Sequence, residues 1–311
     1  MIEIVSTAAL PVTENLVIQK NRIQNNVGSE TKRVCIVTGT HGDELEGQYV
    51  CAQMARLLNE QKQNLSGIVD IYPAVNPLGI DSITRGFPLF DLDMNRIFPG
   101  SPTGSLAEAV AYDVVRDIEG ADICIDIHSS NIFLREIPQV RVSEQTSAEL
   151  LPYAMMLNAD LVWIHGSTTV LESTLAHSLN MRGVKTLVVE MGVGMRITES
   201  YCVQLMDGIM NLLSEVEMWS GETAKVRTPV VSKDRAVGFV NSDAAGIFIP
   251  CAAHGSRVSA GDSIGKVLDP LTGSIVENSI SPCDGLLFTL REYPVVFGGS
   301  LLARIMVDGN V

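Results

Sequence analysis

The sequence predicts an α/β protein: a mainly parallel sheet flanked by helices, followed by a small all-β domain. Three observations carry this. Apolar, β-rich runs recur at 34–38, 68–75, 122–127, 160–164 and 186–190. Segments with helical periodicity lie between and after them, at 45–60, 105–118, 147–157, 171–180 and 199–218. Beyond Pro229 the helical pattern stops and short strand-like runs are punctuated by glycine. Buried strands alternating with amphipathic helices imply a sheet covered on both faces.

In chain order, residues 1–30 hold short alternating segments such as Leu16-Val17-Ile18-Gln19, which suit edge strands. The run at 34–38 feeds a helix over 45–60 whose apolar side carries Val50, Met54, Leu57 and Leu58. Ser220-Gly221-Glu222-Thr223 ends the last long helix, which divides the chain into 1–225 and 226–311. Strands are expected at 236–240, 246–250, 263–268, 275–280, 285–290 and 300–306. Val258–Gly265 and Val295–Leu302 look like related halves, similar to the barrel-sandwich plan of lipoyl- and biotinyl-type domains. The turn Asp269-Pro270-Leu271-Thr272-Gly273 carries no lysine, which argues against a swinging-arm carrier.

A chain of 311 residues can bury one large or two ordinary cores. Its net charge of −14 disfavours nucleic acid and anionic lipid as partners. No apolar run reaches the roughly 18 residues of a membrane span. The start, Met1-Ile2-Glu3-Ile4-Val5, lacks a basic, apolar leader, so a cytoplasmic location is expected. The six cysteines form no Cys-x-x-Cys and mostly lie in apolar runs, which suggests reduced, buried thiols. Oligomeric state is not legible, although a homo-oligomer is compatible with everything above.

The chemistry concentrates where strands end, which is where open α/β sheets bind ligands. After Val34–Val37 comes Gly39-Thr40-His41-Gly42-Asp43-Glu44-Leu45-Glu46-Gly47. An acid-rich helix start would account for Asp43, Glu44 and Glu46 through the macrodipole, but not for the histidine or the glycines. An imidazole and a carboxylate three residues apart suit a zinc ion that takes a third protein ligand and keeps one open position. His128, in Asp126-Ile127-His128-Ser129-Ser130, ends another strand and fits that third place better than His165 in a loop, His177 on a helix or His254 in the C-terminal region. Asn95-Arg96, in a long segment from Asn76 to Gly100, offers an amide and a guanidinium suited to a planar carboxylate. Glu190 ends a buried strand before Gly192-Val193-Gly194, a position suited to a general base. Arg182 and Arg196 are further candidates for the pocket border.

Together, Gly-x-His-Gly-Asp-Glu-x-x-Gly, Asp-x-Asn-Arg-x-Phe-Pro-Gly, Asp-x-His-Ser and Val-Glu-Met-Gly resemble the succinylglutamate desuccinylase/aspartoacylase family over roughly residues 33–220. The resemblance implies a zinc-carboxypeptidase-like fold and one zinc ion held by His41, Glu44 and His128. It further implies Glu190 as general base, Asn95 and Arg96 as carboxylate binders, Asp93 as the acid behind a zinc-bound imidazole, and Arg85 as oxyanion stabiliser. The implied reaction removes an acyl group from a small N-acyl amino acid. A metallocarboxypeptidase acting on short peptides and a non-catalytic zinc-binding protein are the alternatives. Selectivity among acyl groups is expected from loops around 131–145 and 165–170.

Overall fold

The apolar runs pair into one large sheet. A computed structural model describes residues 1–166, 172–233 and 237–307. The chain opens with a hairpin of β1 (Ile2–Ala9) and β2 (Asn15–Asn25) and continues through β3 (Arg33–Thr38), α1 (Glu46–Glu60), β4 (Gly67–Tyr72), α2 (Pro77–Ser82), α3 (Leu106–Ile118) and β5 (Ile123–Ser129). Then follow β6 (Leu134–Ser143), α4 (Ser147–Ala154), β7 (Leu161–His165), α5 (Leu175–Asn180), β8 (Lys185–Gly192), α6 (Glu199–Glu215) and β9 (Val230–Lys233). The expected helix over 171–180 and strand over 236–240 begin on residues outside the described set.

Strand alternation supplies two cores. Val34 and Ile36 of β3 pack under α1 and α6, with Val50, Met54, Leu205 and Ile209. Cys35 and Val37 point the other way, toward Val110 and Val114 of α3 and Leu175 and Leu179 of α5. A strand apolar on both faces is what a sheet covered on both sides requires. Ser105 and Glu108 form a reciprocal capping box that starts α3.

The sheet is less parallel than expected. Its order is β1-β2-β4-β3-β5-β8-β6; the centre, β4-β3-β5-β8, is parallel, and β7 and β9 continue parallel to β6 beyond it. The hairpin pairs antiparallel to β4, and β6 pairs antiparallel to β8. The link Ser130–Phe133 is too short for the crossover that would bring β6 in parallel.

β6 is itself a correction, because residues 131–145 were expected to be a loop. Pro138 argues against a strand interior, and the structure accommodates it at a register shift between Glu136 and Gln139. His165, expected in a loop, ends β7.

The C-terminal strands are β10 (Val237–Asn241), β11 (Gly246–Pro250), β12 (Arg257–Val258), β13 (Ser263–Leu268), β14 (Ile275–Ile280), β15 (Gly285–Arg291), β16 (Val295–Val296) and β17 (Leu301–Val307). β14-β13-β11-β16 make a second, antiparallel sheet. β15, β17 and β10 extend the large sheet, joined to it by antiparallel pairing of β15 with β6. Phe248, Ile264, Leu287 and Leu302 form the core between them.

Cys35, Cys51, Cys124 and Cys202 are buried thiols, whereas Cys251 is exposed, against expectation, because it follows the end of β11. Among the described residues no helix is long and apolar enough to cross a membrane.

Candidate active site

Gly42 brings two segments together. Its N–H donates to the Thr84 carbonyl (3.1 Å), and a side chain on it would run into the Gly79 carbonyl group. Glycine therefore lets the stretch after α2 lie against the His41–Glu44 turn. That contact delivers Arg85, whose Nη1 sits 2.8 Å from Glu44 Oε1.

Glu44 is the centre of the cluster. Its Oε1 lies 2.7 Å from His41 Nδ1, and its Oε2 lies 2.9 Å from His128 Nδ1 and accepts from the Ser129 amide at 3.1 Å. All three side chains are buried, and their donor atoms lie within 4.8 Å of one another. They are 84 residues apart in sequence between Glu44 and His128. The two strands that deliver them, β3 and β5, are parallel neighbours in register, so their ends coincide.

A carboxylate stands behind each imidazole. Asp93 Oδ1 is 3.0 Å from His41 Nε2, and Asp126 Oδ2 is 3.3 Å from His128 Nε2. Asp93 is fixed by accepting the Asn95 amide at 2.8 Å, capping the short 3-10 turn Met94–Arg96. Burial opposes charge on Glu44, but the two imidazoles outweigh it and hold the carboxyl far below its usual range. Burial likewise disfavours imidazolium at His128, yet Asp126 and Glu44 push its pKa well up.

Two imidazole nitrogens and one carboxylate, each imidazole backed by a second carboxylate, form a group able to hold a metal ion, and the donor types suit zinc.

The other expected residues border the same cavity of about 500 Å³. Glu190 is the register partner of His128 on the adjacent parallel strand β8, so both point to one side. Its Oε1 accepts from Arg141 Nη1 at 3.2 Å. The Asn95 carboxamide is oriented by accepting the Leu175 amide at 3.0 Å. Arg96 is exposed and donates to the Asn95 carbonyl at 2.8 Å. Arg182 and Arg196 do not line this cavity; Arg182 caps its own helix on the Ser178 carbonyl. The expected selectivity loop at 165–170 lies, from 167 on, outside the described residues.

Residues 30–216 match the family described as the succinylglutamate desuccinylase/aspartoacylase catalytic domain. The chain belongs to the succinylglutamate desuccinylase/aspartoacylase family. That family is one of deacylating hydrolases. An N-alpha-acetyl-L-2,4-diaminobutyric acid deacetylase of Halomonas elongata is 28% identical over 289 residues, 86% of this chain and 80% of that protein. A succinylglutamate desuccinylase/aspartoacylase from Rhodobacter sphaeroides has a TM-score of 0.79 at 25% identity, over 95% of this chain and 91% of that one. The product-bound ectoine utilization protein EutE (DoeB) from Ruegeria pomeroyi shares the fold, with a TM-score of 0.79 at 23% identity over 95% and 90% of the two chains. The likeness of fold thus extends through the C-terminal strands.

Several cavity residues of this desuccinylase/aspartoacylase chain escape a reading of the sequence. Asp126 precedes His128 by two, the spacing that puts strand residues on one face, and that signal was available. Arg141 and Glu136 lie on the unexpected strand β6. Arg304 reaches the cavity from β17, where a charge amid Leu301, Leu302, Ala303, Ile305 and Met306 marks a polar contact.

Proposed function

We propose that this protein is a zinc-dependent amidohydrolase that removes an acyl group from a small N-acyl amino acid. The observation that carries the reading is the convergence of His41, Glu44 and His128 beside Glu190, with Asn95 and Arg96 on the same cavity.

Nδ1 of His41, a Glu44 oxygen and Nδ1 of His128 would hold the ion. When bound, zinc supplies Lewis-acid polarisation and lowers the pKa of a water molecule toward about 7. Asp93 and Asp126 keep the two imidazoles oriented with Nδ1 inward. Glu190 takes a proton from the attacking water and passes it to the departing amine. Asn95 and Arg96 grip the substrate carboxylate, which turns attack into a positioned event. The Arg85 guanidinium, at the cavity edge, faces the acyl oxygen as charge develops there.

Arg304 of β17 lines the cavity and narrows it, which supports a small substrate over a peptide. The Halomonas relative acts on an acetylated diamino acid, which makes acetylated amino acids the first substrates to try. The test is metal analysis of the purified protein together with hydrolysis of acetyl-, succinyl- and aspartate-type amides against short peptides. One zinc per chain and turnover of an N-acyl amino acid are expected. A metal-free protein, or one that cleaves only peptides, would refute the reading.

A further inference from the structure

Four charges alternate along one wall of the cavity. Arg304 Nη1 lies 3.0 Å from Glu136 Oε1, and the same oxygen lies 3.6 Å from Arg141 Nη2. Arg141 Nη1 then reaches Glu190 Oε1 at 3.2 Å. The row is built into the sheet. Glu136 pairs in register with Thr289 of β15, and Thr289 pairs with Arg304 of β17, so the three share a face. The register shift in β6 sets Gln139 opposite Glu190, two residues before Arg141.

Glu136 is buried, and both of its oxygens are occupied. Oε1 faces the two guanidiniums, while Oε2 accepts from Thr289 Oγ1 (2.6 Å) and Gln139 Nε2 (2.9 Å). A buried carboxylate needs such partners to stay ionised. Both guanidiniums also lie against one indole, at 5.5 Å for Arg141 and 5.8 Å for Arg304 from the Trp163 ring centre. Arg141 is thus held by a carboxylate on each side and an aromatic face beneath.

We infer that Glu136 and Arg304 are positioning residues that act on Glu190 through Arg141, so that the C-terminal strands complete the active site. This rests on Glu190 being the base. With Arg304 gone, Glu136 keeps one cation, Arg141, and draws it away from Glu190. The base then loses the contact that aims it. Because Arg304 acts only by way of Arg141, its removal matters only while Arg141 is present.

The test is a mutant cycle of Arg304→Gln, Arg141→Gln and the double variant in the zinc-loaded full chain, with Arg304→Lys as conservative control and a crystal structure of Arg304→Gln. Arg304→Gln is expected to lower kcat by about ten- to a hundredfold, the scale of a misplaced catalytic group, with KM within about twofold. Arg304→Lys should restore most of kcat, and the double variant should be no slower than Arg141→Gln alone. Losses that multiply, or a change confined to KM, would overturn the inference. If the parent protein hydrolyses none of the amides, the proposed function fails on its own. The crystal structure then decides the positioning claim: Arg141 turned from Glu190 toward Glu136 upholds it, and Arg141 unmoved overturns it.

Discussion

His128 and Glu190 face each other across two parallel strands, in register, at the carboxyl end of the sheet. The two roles proposed for them, donor to a metal and proton acceptor, would thereby fall on neighbouring positions that are not neighbours in sequence. The first prediction uses that separation. Glu190→Gln should keep zinc at one per chain and lower kcat by about 10²- to 10⁴-fold, the usual contribution of a general base. Turnover near that of the parent would remove Glu190 from this role.

Asp126 gives a second test, since it contacts His128, a proposed ligand, and would not touch the ion itself. Asp126→Asn should weaken zinc affinity by about 10- to 100-fold, measured by competition with a chromogenic chelator. His128→Ala should abolish stoichiometric zinc altogether. A fully loaded His128→Ala protein would rule out the proposed ligand set.

Gly42→Ala tests how the Arg85 segment is seated. The added methyl meets the Gly79 carbonyl group, so either the segment moves or the turn does. A loss of about 1–3 kcal/mol in unfolding free energy is expected from such overpacking, together with a fall in kcat as Arg85 leaves Glu44. Unchanged stability and rate would show that the close approach is unimportant.

The thiols make a prediction that involves no metal. Burial pushes the Cys35 and Cys51 thiols up to about 12. They are protonated at pH 8, and the thiolate is the reactive form. In the native protein a thiol reagent should modify exposed Cys251 first, and Cys35 and Cys51 only after unfolding. The sign for stability follows. The folded state keeps these protons while unfolded thiols lose theirs near their ordinary value of 9.0. Stability should therefore be unaffected by these groups below about pH 8 and fall as pH rises from 9 toward 12. Fast labelling of Cys35 in the folded chain would contradict this.

The helices and central strands were legible because their residues face either two apolar cores or one core and water. Val34–Val37 and Leu187–Val189 announce themselves for that reason. β6 did not, because Glu136 and Arg141 line a polar cavity, Gln139 is buried against Glu136 and Pro138 sits at a bulge, so its alternation imitates a loop. His41, Glu44 and Glu190 were visible as motifs at strand ends. Arg304 was not, since its partner Glu136 lies 168 positions away and only pairing of β15 with β6 joins them. The expected mainly parallel sheet failed at its flanks, where chain connections too short for crossovers impose the opposite direction.

The seam between β6 and β15 has a practical consequence. A chain cut after the last long helix would leave Leu134–Glu136 of β6 without their β15 partners, β7 without β9, and Glu136 stripped of Thr289 and Arg304. Such a fragment has a ready template for pairing with its own kind and a stranded charge beside it, so it should precipitate or be degraded rather than behave as a smaller hydrolase.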